Sequence, residues 1–313
     1  MPVYETSPGS FVALKDAVVV LTGGANGVGE SIVRTLYGVG AKILFGDIDA
    51  AAGEKLVADL TSSAPASTGT LEFLRVDVRR YEDNLALFDV AYTRHGRVDH
   101  ALSLAGVTEG QNWFDPSLTI ESVRSPPSTA VLDINLLGAA FFARIAAVYL
   151  SQPDPTRETP RNRDKSLLLT GSLAAFKEQQ GLFVYQPSKH GVMGLFRSSR
   201  RYLHTLHGIR VNIVCPSLID TGMASRVLHV WQNNNLPVNS ANQVAEYVLS
   251  LTASRYGPDG TKHTGLAVYV EGGKGWEFES ELDRLDSQWM GEEMAKNCAA
   301  TIEALGVGGN WVE

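Results

Sequence analysis

Cysteine is nearly absent: Cys215 and Cys298 are the only two in 313 residues. Two thiols give no disulfide framework, and no histidine falls in a metal-ligand pattern, so no metal site is expected. Such sparse cysteine fits a reducing compartment, and a cytoplasmic location is expected. Positive charge is also short, with 27 Lys and Arg against 34 Asp and Glu and a net charge of -7. There is no basic stripe for a nucleic acid, and mild acidity mainly aids solubility. The N-terminus has no basic start followed by an apolar stretch, so no signal peptide is read there. No apolar run looks long enough to span a bilayer, so no membrane association is expected.

What the chain does have is alternation. Apolar runs suited to buried strands begin at Val18, Ala41, Leu71, His100, Ser166, Ile209 and Ala267. Helical spacing separates them, over Asn84 to His95, Asn135 to Leu150 and Tyr185 to Leu206 among others. Regular βαβ alternation predicts an α/β fold, a doubly wound parallel sheet of the Rossmann kind. The domain is expected to cover 1–275, with 276–313 a C-terminal extension.

Two local patterns carry chemistry. In Val18-Val19-Val20-Leu21-Thr22-Gly23-Gly24-Ala25-Asn26-Gly27-Val28-Gly29, a β-branched strand enters a glycine turn that opens a helix. Glycines there let the backbone approach a pyrophosphate, which sits on the positive helix end. A glycine turn alone is often an ordinary βα connection. Here Asp47 closes the next strand about 20 residues on, where an acid binds a ribose 2′-hydroxyl. The second pattern is Tyr185 with Lys189, one helical turn apart and so on one face. A cation beside a phenol favours the phenolate, as proton exchange with an alcohol or ketone requires. On its own such a pair is more often a surface pair.

Together these residues resemble the short-chain dehydrogenase/reductase family over roughly residues 12–275. Thr22, Gly23, Gly27 and Gly29 match its glycine motif, and Tyr185 and Lys189 its Y-x-x-x-K. Ser172 and Asn135 fall where that family has its catalytic serine and asparagine. The stretch Thr22 to Gly53 and Ser188-Lys189-His190-Gly191 look most like the NAD-dependent 15-hydroxyprostaglandin dehydrogenase branch and its fungal secondary-metabolism relatives. The resemblance implies NAD as cofactor. Thr22, Gly23, Asn26, Gly27, Val28 and Gly29 would cradle it, with Asp47 and Ile48 at the ribose and Asp77 and Val78 at the adenine. Ala105, Gly106, Tyr185, Lys189, Pro216, Leu218 and Ile219 would flank the nicotinamide half. In that scheme Tyr185 exchanges the proton, Lys189 lowers the tyrosine pKa, Ser172 bonds the substrate oxygen, and Asn135 holds a water.

Two departures stand out. Ser103 replaces the first asparagine of the family's N-N-A-G, and Ser217 replaces the glycine of its Pro-Gly turn. Three segments fall outside the pattern. Glu109 to Ser128 reads as a polar loop. Ser151 to Lys165, with Arg157, Arg161 and Arg163, reads as a solvated insertion rather than an anionic-partner site. The tail carries Trp276, Phe278, Trp289, Met290 and Trp311, with a helix expected over Glu281 to Leu305; it packs on the domain or a second subunit, or walls the substrate pocket.

The expected substrate is a bulky, largely apolar secondary alcohol or ketone. Leu173, Phe176, Leu182 and Phe183 would line one side of the pocket, and Met223, Val227, Leu228 and Trp231 the other. Leu218 to Pro237 would form a lid over it. The resemblance implies that the Asn135 and Tyr185 helices, both rich in apolar residues, pair with their copies in a second subunit, so a homodimer or homotetramer is expected. Two other classes stay open: a non-redox cyclase or isomerase on the same scaffold, and a nucleotide-sensing binding protein.

Overall fold

The computed structural model describes residues 2–62, 69–153, 163–257, 260 and 262–306. In β2 (Val18–Thr22) every residue is buried, as a strand covered by helices on both faces must be. The glycine turn leads into α1 (Gly27–Val39), which ends at Gly40 in the left-handed conformation. Then follow β3 (Lys42–Asp47), α2 (Ala50–Ser62), β4 (Thr70–Arg75), α3 (Tyr81–His95) and β5 (His100–Ser103). After a long loop, a short helix α4 (Ala130–Leu132) passes through a π-helical turn (Asp133–Gly138) into α5 (Ala139–Ser151). The second half contains β6 (Ser166–Thr170), α6 (Tyr185–His207), β7 (Arg210–Pro216), α7 (Leu228–Asn233), α8 (Ala241–Ala253) and β8 (Ala267–Glu271).

All seven expected strands are present and pair in parallel in the order β4-β3-β2-β5-β6-β7-β8. The chain winds outward in one direction from β2 and in the other from β5. That reversal opens a crevice at the carboxyl ends of these two strands. Helices α3, α5 and α6 cover one face, where Phe88, Phe142 and Phe196 are wholly buried. Helices α1 and α8 cover the other with Ile32, Leu36, Val244 and Val248.

The sheet has two further strands at its β8 edge. β9 (Lys274–Glu277) returns antiparallel to β8 through Gly272 and Gly273, and β1 (Val3–Tyr4) pairs with β9. Both are too short to show a periodicity. β9 runs across the expected boundary at 275/276, so the sheet extends to Glu277. Beyond it lie two helices rather than one, α9 (Glu279–Met290) and α10 (Glu292–Leu305), divided at Gly291 with φ +88°. Trp311 lies outside the described residues.

Two expectations need correction. The helical segment Ala130–Ser151 has 22 residues and is long and apolar enough to cross a membrane by composition alone. Here it is a core helix, with Phe142, Ile145, Ala146 and Leu150 buried against the sheet and its neighbours. Arg163, read with the solvated insertion, is buried instead: its Nε lies 3.1 Å from Asp99 Oδ1. Next to it Asp164 pairs with Arg210 through two contacts of 2.8 Å. Both anchor the start of β6; Arg157 and Arg161 lie outside the described residues.

Candidate active site

The glycine turn is shaped by backbone crowding. Gly23 has φ +71° and Gly27 φ +56°, both in the left-handed region. A Cβ at Gly29 would lie 1.9 Å from the Gly23 carbonyl oxygen. At Gly23 it would lie 2.7 Å from the Ala105 nitrogen, so the end of β5 presses on the turn. Asn26 caps α1 in extended conformation without a side-chain bond to the helix. The first N–H groups of α1 therefore face the crevice as an anion cradle. Val28 is half-buried on this first turn, and Thr22 is buried with its hydroxyl unpartnered.

Asp47 stands over the same turn. Its Oδ2 accepts the Ala25 N–H at 3.0 Å and its Oδ1 the Asp49 N–H at 3.1 Å. Ile48 beside it is exposed. Asp77 is engaged with Arg79, through Nε at 2.9 Å and Nη2 at 2.5 Å. That hydrogen bond holds its carboxyl below the usual range. Val78 packs on Gly138 of the π turn. These residues fit a dinucleotide: a glycine cradle no side chain could enter, then an acid at the end of the next strand.

Asn135, Ser172 and the Tyr185–Lys189 pair come from three different parts of the chain. Asn135 lies in the π turn and is 1% exposed. Its Oδ1 accepts the Val107 N–H at 2.8 Å, and its Nδ2 donates to Val107 O at 2.9 Å and Ser188 Oγ at 3.1 Å. The side chain is thus a clamp between the loop after β5 and α6. A Cβ at Gly106 would meet Asn135 Oδ1 at 3.3 Å and Lys189 Nζ at 3.6 Å, which brings these three residues together.

Lys189 donates to Thr170 O at 2.9 Å, and its Nζ lies 5.7 Å from the centre of the Tyr185 ring. Burial pushes its pKa down to about 8. Ser172 stands beside the Tyr185 phenol, where it lowers the phenol pKa, and its Oγ accepts the Ala174 N–H at 3.2 Å. The Tyr185 phenol is pushed above its ordinary pKa. Burial is the largest influence and raises it, and the neighbouring Ser172 offsets this in part. The physical reason is that desolvation disfavours both charged forms, the phenolate and the ammonium.

The segment after β7 closes the site from the other side. Pro216 ends the strand, and Asn239 fixes Leu218 by accepted bonds at its carbonyl of 2.9 and 3.1 Å and bridges to Ile219. Thr221 approaches the Gly27 Cβ position to 3.2 Å. The Ser217 N–H donates to Val270 O of β8 at 2.8 Å, next to Tyr269, whose phenol donates to Glu271 at 2.7 Å. The serine that departs from the family pattern thus ties this segment to β8. Tyr269 lies in an aromatic row with Trp276, Phe176 and Phe278, the last stacked on Phe176 at 4.3 Å. Glu279 anchors α9 to α6 through Arg197 at 2.8 and 2.9 Å.

So the start of the tail, Trp276 to Glu279, packs on the domain directly behind the Ser172 loop, while Trp289 is exposed. The expected lid holds α7 and exposes Met223, Val227 and Val230. Across from it Phe114 meets Phe183 edge-on at 4.8 Å. Glu109 and Ser188 were missed from the sequence, because their partners are remote or are backbone groups without a motif.

A family model described as short chain dehydrogenase matches residues 17–230. The chain is 27% identical over 307 residues to the short-chain dehydrogenase/reductase prx4 of Penicillium roqueforti, covering 93% of this chain and 86% of that protein. It is 32% identical over 214 residues to (+)-borneol dehydrogenase 1 of Salvia officinalis, covering 68% and 73%. A solved short-chain type dehydrogenase/reductase from Mycobacterium ulcerans superposes with TM-score 0.68 at 19% identity, covering 90% of this chain and 98% of that one. That last likeness bears on the fold alone.

Proposed function

Because this chain belongs to the short-chain dehydrogenase family, we propose that it is an NAD-dependent enzyme interconverting a bulky apolar secondary alcohol and its ketone. The observation that carries this reading is the convergence of Asn135, Ser172, Tyr185 and Lys189 on one spot beside the glycine cradle. NAD, when bound, supplies the hydride acceptor.

The glycine turn and the first turn of α1 would hold its pyrophosphate, and Asp47 the adenosine ribose. A carboxylate facing a 2′-phosphate about 4 Å away is disfavoured by roughly 1–4 kcal/mol at effective dielectrics of about 80 to 20, which supports NAD over NADP. The residues just after it, Ile48, Asp49 and Ala50, supply no arginine to offset that repulsion.

Tyr185 takes the hydroxyl proton from the alcohol, or returns it to the ketone, at its phenolic oxygen. Ser172 holds the substrate oxygen beside that phenol. Lys189, with its pKa pushed down to about 8, exchanges protons near neutral pH and stabilises the phenolate when charged. Apolar side chains on both sides of the site, Phe114 and Phe183 against Met223 and Val227, support a large hydrophobic substrate. Borneol, for which one relative is named, is itself a bulky apolar secondary alcohol. A place in secondary metabolism, in the cytoplasm, fits the same reading.

The enzyme acts as a homo-oligomer in this account. Phe142, Ile145, Val192 and Phe196 face the protomer's own core, so Leu137 and Val148 remain as the exposed apolar contacts of the Asn135 helix. Initial rates with a panel of secondary alcohols, read by absorbance of the reduced nicotinamide, test the function. Higher kcat/KM for large apolar alcohols, with NAD preferred, is expected. No turnover on the panel, or equal use of NADP, contradicts it.

A further inference from the structure

Glu109 lies in the loop after β5, far in sequence from the catalytic helix. Its carboxylate nevertheless reaches the start of α6. Oε2 accepts the Tyr185 N–H at 2.7 Å, and Oε1 and Oε2 accept the Val184 N–H at 3.1 and 3.2 Å. Val184, at the N-cap position, makes no side-chain cap of its own. The opening N–H groups of a helix have no intrahelical partners, and a carboxylate there also meets the positive end of the helix dipole. Glu109 therefore caps α6 from 75 residues away.

One of the capped N–H groups belongs to Tyr185 itself. The Tyr185 carbonyl is held as well, accepting from Ser188 Oγ at 2.6 Å, and Ser188 in turn accepts from Asn135. The main chain of Tyr185 is thus gripped on both sides. The loop that carries Glu109 is itself fixed, because Asn135 binds Val107 through both ends of its amide.

We propose that Glu109 is a positioning residue for Tyr185: its carboxylate fixes the first turn of α6 so that the phenol stays against Ser172. The proposal rests on Tyr185 being the proton-exchanging group. Its physical basis is the steep dependence of reaction rate on placement, where a shift of about 1 Å costs on the order of 10²-fold. Glu109 does not touch the glycine cradle, so cofactor affinity does not depend on it.

The test compares the full chain with Glu109→Met, which keeps most of the side-chain volume but accepts no hydrogen bond, and with Glu109→Gln, which keeps one acceptor oxygen. Glu109→Met is expected to lower kcat by about 10–100-fold with KM for NAD unchanged, and Glu109→Gln to recover most of that loss. A methionine variant that melts earlier but keeps the parental kcat overturns the proposal, since the side chain would then serve only the fold. If Glu109→Met does not fold, Glu109→Ala, which admits water to the helix end, replaces it under the same expectations. Failure of both to fold likewise overturns the proposal.

A parent protein without turnover would sink the functional reading instead. Amide exchange then decides on Glu109: faster exchange at Val184 and Tyr185 in Glu109→Met supports the contact, and equal exchange overturns it.

Discussion

Replacing Asn135 with alanine removes three hydrogen bonds at once. Val107 loses partners for both its N–H and its carbonyl, and Ser188 loses the bond it accepts. A buried group left unpaired costs about 1–3 kcal/mol. Val107 is only partly buried, so water takes over some of that deficit. Ser188 is fully buried but still donates to the Tyr185 carbonyl, so it loses only an accepted bond. The net expectation is a loss of about 2–4 kcal/mol of stability. Urea unfolding of parent and variant measures this, with equal m-values required for the comparison. Turnover should fall as well, because the same amide ties the loop after β5 to the catalytic helix. A loss below about 0.5 kcal/mol, the scale of an ordinary surface change, would refute the reasoning.

Gly29→Ala places a Cβ 1.9 Å from the Gly23 carbonyl, so NAD binding by calorimetry should fall steeply while the Tyr185 helix is untouched. Asp47→Ser removes the charge opposite a 2′-phosphate and should narrow the NAD preference by roughly one to three decades in kcat/KM. His100 is buried, and burial pushes its pKa below 6.5, so it folds neutral. Below about pH 6.5 the unfolded chain takes up a proton that the folded one resists, and stability falls as pH drops. Melting temperature should therefore decline from about pH 6.5 downward, and His100→Gln should flatten that decline.

The seven parallel strands were legible because each is a short apolar run between helices of clear period. The glycine turn and the Tyr185–Lys189 pair were legible because their chemistry depends on local spacing. β1 and β9 were not, since two and four residues, one of them Gly275, carry no pattern; β9 forms only against β8, and β1 only against β9. The break at Gly291 was signalled by the glycine itself, yet the surrounding helical spacing masked it. Glu109 could not be found locally, because its donors lie 75 and 76 residues on and are backbone groups. The direction of the Tyr185 pKa was not legible locally, because its largest influence is burial, a property of the whole fold. Arg163 pairs with Asp99 just before β5, and Asp164 with Arg210 of β7; a linear reading sees Arg163 only as surface charge, because its partner is remote in sequence.

The central claim is that Tyr185 exchanges the substrate proton within an NAD-dependent site. The most direct measurement is turnover and NAD affinity of Tyr185→Phe beside the parent, with the best secondary alcohol from the panel. Losing a positioned acid–base group should lower kcat by about 10²–10⁴-fold or more, while NAD affinity stays near parental because the glycine cradle is intact. A phenylalanine variant that keeps most of the parental kcat would contradict the account.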